Sequence, residues 1–170
     1  MIASAELLVD GFGRIRDAVH QVVEGLTADD LAVQVNEDAN SIAWLLWHLT
    51  RVQDDHVAEV AGSDQLWTSG GWVDRFGLPF AAEATGYGQS SSEVGAVKGV
   101  SAELLTGYHD AVNARTIQFV QGLDDADLSR IVDERWNPAV TLGVRLVSVI
   151  SDDLQHAGQA AFVAGLLSRG

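Results

Sequence analysis

The sequence predicts an all-α protein built on four long helices, and three observations carry that prediction. Apolar residues recur at the helical spacing of three and four in four separate segments. Only 2 prolines occur in 170 residues, whereas sandwiches and barrels usually carry more turn punctuation. Serine or threonine stands at several of the expected helix starts, where a side-chain oxygen can satisfy unpaired backbone N–H groups. The length suits one domain, residues 1–170, and an apolar fraction of 47% suits a globular core and excludes disorder.

The first helix is expected over residues 4–25, with Leu7, Leu8, Phe12, Ile15, Val19, Val22 and Val23 as its apolar set and Gly25 as its C-cap. Thr27 to Leu31 reads as a capped turn, Thr27 at the N-cap and Asp30 three residues on. Residues 36–40 read as loop. Ser41 caps a second helix running to Val60, strongly apolar at first and polar by Asp54-Asp55-His56, with Gly62 as its stop. Residues 62–90 form a long loop holding six glycines and the aromatics Trp67, Trp72, Phe76, Phe80 and Tyr87. A loop of that length in a compact domain is either functional or anchored by its own side chains. Ser90 and Glu93 fit a capping box for a short helix reaching about Gly99. The third helix is expected over Ser101–Gln121, with Gly122 as its end. An acidic turn follows at 124–130. Trp136-Asn137-Pro138 marks a loop, because the residue before proline avoids the helical region. Thr141 caps the fourth helix, which runs to about Ser168. Ser41–His56 also aligns without gaps with Thr141–His156, a faint internal repeat.

Charge and composition narrow the function. A formal charge of -14 repels phosphate backbones and anionic lipid surfaces, so neither nucleic acid nor membrane is an expected partner. The absence of cysteine excludes disulfides, iron–sulfur clusters and a cysteine nucleophile. Any metal must be held by His, carboxylate, amide or backbone groups. The residues Met1 to Glu6 lack the basic start of a signal peptide, and no stretch of roughly 18 apolar residues occurs, so a cytoplasmic protein is expected.

Among five histidines, His48 stands in the apolar half of the second helix and His156 on the fourth. Asp152 and His156 are four residues apart and share one helix face. With His48 from a facing helix they would make an open three-ligand site, as bundle cores often house. The competing interpretation is a hydrogen-bonded core histidine beside an ordinary surface pair. Asp55 and His56 lie seven and eight residues beyond His48 on its side of the helix, and could replace or supplement a ligand. His20 and His109, beside Gln21 and Asp110, read as surface groups. No dinucleotide fingerprint, phosphate loop or nucleophile elbow is present.

The run Ser41-Ile42-Ala43-Trp44-Leu45-Leu46-Trp47-His48-Leu49 resembles the first ligand-bearing helix of the DinB-like superfamily. Trp136-Asn137-Pro138 through His156-Ala157-Gly158-Gln159 resembles its last helix, and Trp67-Thr68-Ser69-Gly70-Gly71-Trp72 with Arg75-Phe76-Gly77-Leu78 resembles its loop. The resemblance extends to the mycothiol-dependent, maleylpyruvate isomerase-like branch. It implies an up-down-down-up four-helix bundle, homodimers, and a divalent metal, most often zinc or nickel, held by three histidines. It further implies a small-molecule thiol and an electrophile as reactants in S-transfer or isomerisation. The chain departs from the pattern at Asp152, which stands where the family has histidine. Aspartate also ligates zinc, nickel, iron and manganese. Two neutral histidines and one carboxylate leave a divalent site at a formal charge of about +1 rather than +2, which acidifies a bound thiol less. On this resemblance Gln159 or Asp55 would orient a ligand, and Arg51, Arg75 or Arg145 would hold carboxylates of the thiol or substrate. The alternatives to an enzyme are a non-catalytic metal- or ligand-binding stress protein and a structural dimeric bundle with a decayed site.

Overall fold

A computed structural model describes residues 3–168; the outermost ends of the expected domain, Met1 and Ile2 included, lie outside the described residues. The four long helices are present: α1 (Ala3–Val23), α3 (Ile42–Ala61), α7 (Ala102–Gln121) and α8 (Leu142–Leu167). Helix α2 (Ala28–Leu31) follows α1. Helices α4 (Leu66–Ser69), α5 (Trp72–Phe76) and α6 (Ser91–Val94) lie in the crossover between α3 and α7. Helix α1 packs on α7 and α8, and α3 packs on the same two, so α1 sits diagonally across the bundle from α3, and α7 from α8. The expected all-α bundle is therefore the fold found.

Its local causes match the caps. Ser41, Ser101 and Thr141 each accept the backbone N–H of the residue three positions on, and Thr27–Asp30 and Ser90–Glu93 both form capping boxes. Core residues come from one stripe of each helix: Phe12, Ile15 and Val19 from α1, Leu105, Tyr108 and Val112 from α7, Leu142, Leu146 and Val149 from α8. Helix α3 differs, because every residue from Ser41 to Arg51 is buried. The bundle covers one side and the crossover covers the other.

Several expectations need correction. The segments on either side of the proline loop pair as a small antiparallel ribbon of β1 (Ile131–Asp133) and β2 (Val140–Thr141). The helix after Ser90 stops at Val94, not Gly99, and α1 ends at Val23. The loop 62–90 contains α4 and α5, and its aromatics anchor it. Trp47 of α3 meets Trp67 at 6.2 Å and Phe80 at 5.5 Å, and Tyr108 of α7 meets Trp67 and Trp72 at 5.3 and 5.4 Å. Helix α4 lacks a cap from its own N-cap residue. Asp54 of α3 supplies one, accepting from the N–H groups of Leu66 and Trp67 at 2.9 and 2.7 Å and from the Tyr108 hydroxyl at 2.8 Å. Among the described residues no helix is long and apolar enough to cross a membrane.

Candidate metal centre

His48, Asp152 and His156 converge. Each offers a ligand atom, and the three atoms lie within 4.8 Å of one another. Position along the helices explains the convergence: α3 and α8 pack side by side, and the four-residue spacing of Asp152 and His156 stacks both on the α8 edge that faces His48. The histidine rings meet edge to face at 4.8 Å between centroids. His156 Nε2 lies 3.7 Å from Asp152 Oδ1, close to the roughly 3.4 Å that separates two ligand atoms on one tetrahedral zinc.

The hydrogen bonds behind the ligands orient them. His48 Nδ1 is 2.5 Å from the Thr85 carbonyl oxygen, which can only accept, so Nδ1 carries the proton and Nε2 keeps its lone pair. His156 Nδ1 donates in the same way to Gln159 Oε1 at 3.2 Å. Such outer partners are what metal-binding histidines usually have. Asp152 Oδ2 is buried without a partner among the described residues. A buried carboxylate oxygen left unpaired is costly, and a cation would satisfy it. The residues present thus fit a divalent metal. Burial, more than any neighbouring charge, makes His48 harder to protonate than an ordinary histidine, which keeps it a neutral ligand.

The wall around His48 has two further parts that the sequence reading did not single out. Trp44 stacks on the His48 ring at 4.6 Å and donates its indole N–H to Gln89 at 2.7 Å. Gly86 follows Thr85 with φ of +97°, and a β-carbon there would lie 2.7 Å from His48 Nδ1 and 3.0 Å from the Trp47 ring. Only glycine allows both the turn and the close approach. Its signal in the sequence was one of many glycines in the loop; that of Trp44 was its position one turn before His48.

A cavity of about 380 Å³ opens beside His48 and Asp152. Asp55 and His56 line it but lie outside the ligand cluster. Gln65 donates to Asp55 Oδ1 at 2.6 Å, and Arg145 donates to His56 Nδ1 at 2.9 Å. Burial first, and the Arg145 charge second, push the His56 pKa down.

The three arginines expected to hold substrate carboxylates separate. Arg51 is fully buried and does not line this cavity. Its guanidinium donates to Ala84 O at 3.1 Å and Gln65 Oε1 at 2.8 Å, and covers the Trp67 ring, so it fastens the crossover to α3. Arg75 lies exposed over the Trp72 ring at 4.5 Å, away from the cavity. Arg145 stands behind His56, tied to Asp133 at 3.1 Å. His109 also departs from expectation, being fully buried with neither ring nitrogen partnered among the described residues; burial lowers its pKa to about 4. His20 is half-exposed and pairs with Asp110 at 2.9 Å.

A family model described as the DinB superfamily matches residues 12–160. The crystal structure of a conserved protein of locus from Enterococcus faecalis is similar throughout, at 28% identity, covering 100% of this chain and 99% of that one with a TM-score of 0.92. No curated protein matches the chain.

Proposed function

Because the chain belongs to the DinB superfamily, we propose that it is a metal-dependent S-transferase or isomerase that uses a small-molecule thiol of the mycothiol type. The observation that carries the reading is the paired tautomer control: Thr85 and Gln159 accept from the two Nδ1 atoms and so leave both Nε2 lone pairs free in a cluster that includes Asp152. His48, Asp152 and His156 would hold the ion, with zinc or nickel favoured by two imidazoles and iron or manganese admitted by the carboxylate. When bound, the ion supplies Lewis acidity toward a thiol or a water. The chain's own groups then bind and orient. The cavity beside Asp152 receives the electrophile, Trp44 and Gly86 shield His48 from water, and Asp55 offers an acceptor at the cavity wall. A cytoplasmic location and a homodimer belong to the same proposal.

Metal analysis of protein purified without a metal-affinity tag tests the first step. About one divalent ion per chain, lost in His156→Ala, is expected; background metal in both sinks the reading. Turnover with mycothiol, bacillithiol or glutathione and an electrophile panel tests the second, and activity unchanged in His48→Ala would sink it. One observation favours a second reading, a metal-holding protein without turnover. Asp152 lowers the formal charge of a divalent centre to about +1 and so weakens its pull on a thiol proton. Fully metallated protein that turns over no thiol would establish that alternative.

A further inference from the structure

The cavity beside the ligand cluster has a second polar wall built through three elements. Asp133 of β1 is held ionised by hydrogen bonds from Arg135 and also binds Arg145 of α8 at 3.1 Å. Arg145, itself nearly buried, donates through its terminal nitrogen to His56 Nδ1 of α3 at 2.9 Å. A guanidinium has no lone pair to give, so Nδ1 must accept and the ring proton must sit on Nε2. That Nε2–H has no hydrogen-bond partner among the described residues and is not a buried orphan, while His56 lines the cavity. The ring cannot accept a second proton at Nδ1 without setting N–H against N–H.

We propose that His56, locked by Arg145 as the Nε2–H tautomer, is the donor that receives an sp² oxygen of the substrate, a carbonyl or a carboxylate, in the cavity beside His48 and Asp152. The arrangement is a fixed hydrogen-bond donor and not a proton acceptor. Burial first, and the Arg145 charge second, disfavour protonation of the ring, against the carboxylates of Asp55, Glu59 and Asp152. Asp55, the neighbouring carboxylate at the wall, accepts from Gln65 through Oδ1, and its Oδ2 lies 4.0 Å from His56 Nδ1, beyond hydrogen-bond reach, so it does not draw the ring proton to Nδ1. The inference rests on the metal reading only for where the reacting end of the substrate would lie; the donor itself is set by protein groups.

The test uses the full chain labelled with ¹⁵N-histidine, metal-free and zinc-loaded, with acetate and acetamide as probes of the two oxygen types. Nitrogen shifts should show His56 as the Nε2–H tautomer in both forms, and that preference should be lost in Arg145→Met. Acetate, acetamide or both should move the His56 Nε2–H signal. Binding of the responding probe, followed at the Thr85 and Ser148 amides, should weaken about tenfold in His56→Phe, the loss expected for one hydrogen bond. A response to acetamide as well as acetate identifies a carbonyl site, and to acetate alone a carboxylate site. A ring protonated at Nδ1, no response to either probe, or undiminished binding in His56→Phe overturns the proposal. Failure of zinc to bind would overturn the metal reading separately, because the tautomer is measured in the metal-free form as well.

Discussion

Helices α3 and α8 carry the faintly similar stretches Ser41–His56 and Thr141–His156, and both bring residues to the candidate metal centre, yet they live in opposite surroundings. From Ser41 to Arg51 α3 is buried on every side. Helix α8 buries one stripe and leaves Val144, Val147, Leu154 and Phe162 exposed. The difference comes from the crossover, which wraps α3 through Arg51, Asp54 and Trp47 and does not reach the outer face of α8. A ligand on α3 is therefore held by tertiary structure, and a ligand on α8 by its own helix, through Gln159 three residues on.

The comparison breaks first at Arg51. Arg51→Met should cost about 3–5 kcal/mol in denaturant unfolding, because buried acceptors on the crossover and Asp54 lose their cation. A loss below about 1 kcal/mol would mean that the crossover is held by its aromatics alone.

The buried histidine of α7 supplies the next effect, as a reference without any outer partner. His109 has a pKa near 4 when folded and about 6.5 when unfolded. Above pH 6.5 it is neutral in both states and contributes nothing to pH dependence. As pH falls from 6.5 to 4 the unfolded chain takes up a proton that the folded chain refuses, so stability drops by up to about 3 kcal/mol. His109→Leu should remove that part of the slope and leave stability at pH 7 equal or higher, since both ring nitrogens are unpaired. An unchanged slope between pH 6.5 and 4 would contradict the buried placement.

At the α3 wall of the site, Gly86→Ala should cost about 2 kcal/mol in thermal unfolding and weaken zinc binding together. At the α8 side, Gln159→Leu should weaken zinc binding about tenfold, read by competition with a chelator, and leave stability nearly unchanged. The smallest effect is on the outer face of α8: Phe162→Ser should shift monomer stability by no more than about 0.5 kcal/mol. A larger, concentration-dependent loss would show that a second copy covers that face.

The bundle was legible because its causes are local. Ser41, Thr141 and the Thr27–Asp30 box cap helices through residues three apart, and the apolar stripes repeat with the helical period. The convergence of His48, Asp152 and His156 was legible for the same reason, as a four-residue spacing on α8 and a histidine among core positions on α3. What escaped is set by contacts distant in sequence. Asp54 caps α4 from another helix, and the Thr85 carbonyl that orients His48 is backbone and leaves no residue signature. The β1–β2 pairing joins segments separated by a loop with no strand pattern. His109 was misjudged by its sequence neighbour Asp110. Its helical neighbours, Leu105 and Val112, point to the core, whereas Asp110 faces Arg16 and His20 across α1.

The stacking of Trp44 on His48 also makes the protein its own optical probe. The indole lies 4.6 Å from a ligand ring and 6.4 Å, edge-on, from His156, while Trp136 is largely exposed. An open-shell ion such as nickel seated between those rings would quench Trp44 emission at contact range, and closed-shell zinc would not. The difference in fluorescence between the two titrations gives occupancy without an added label.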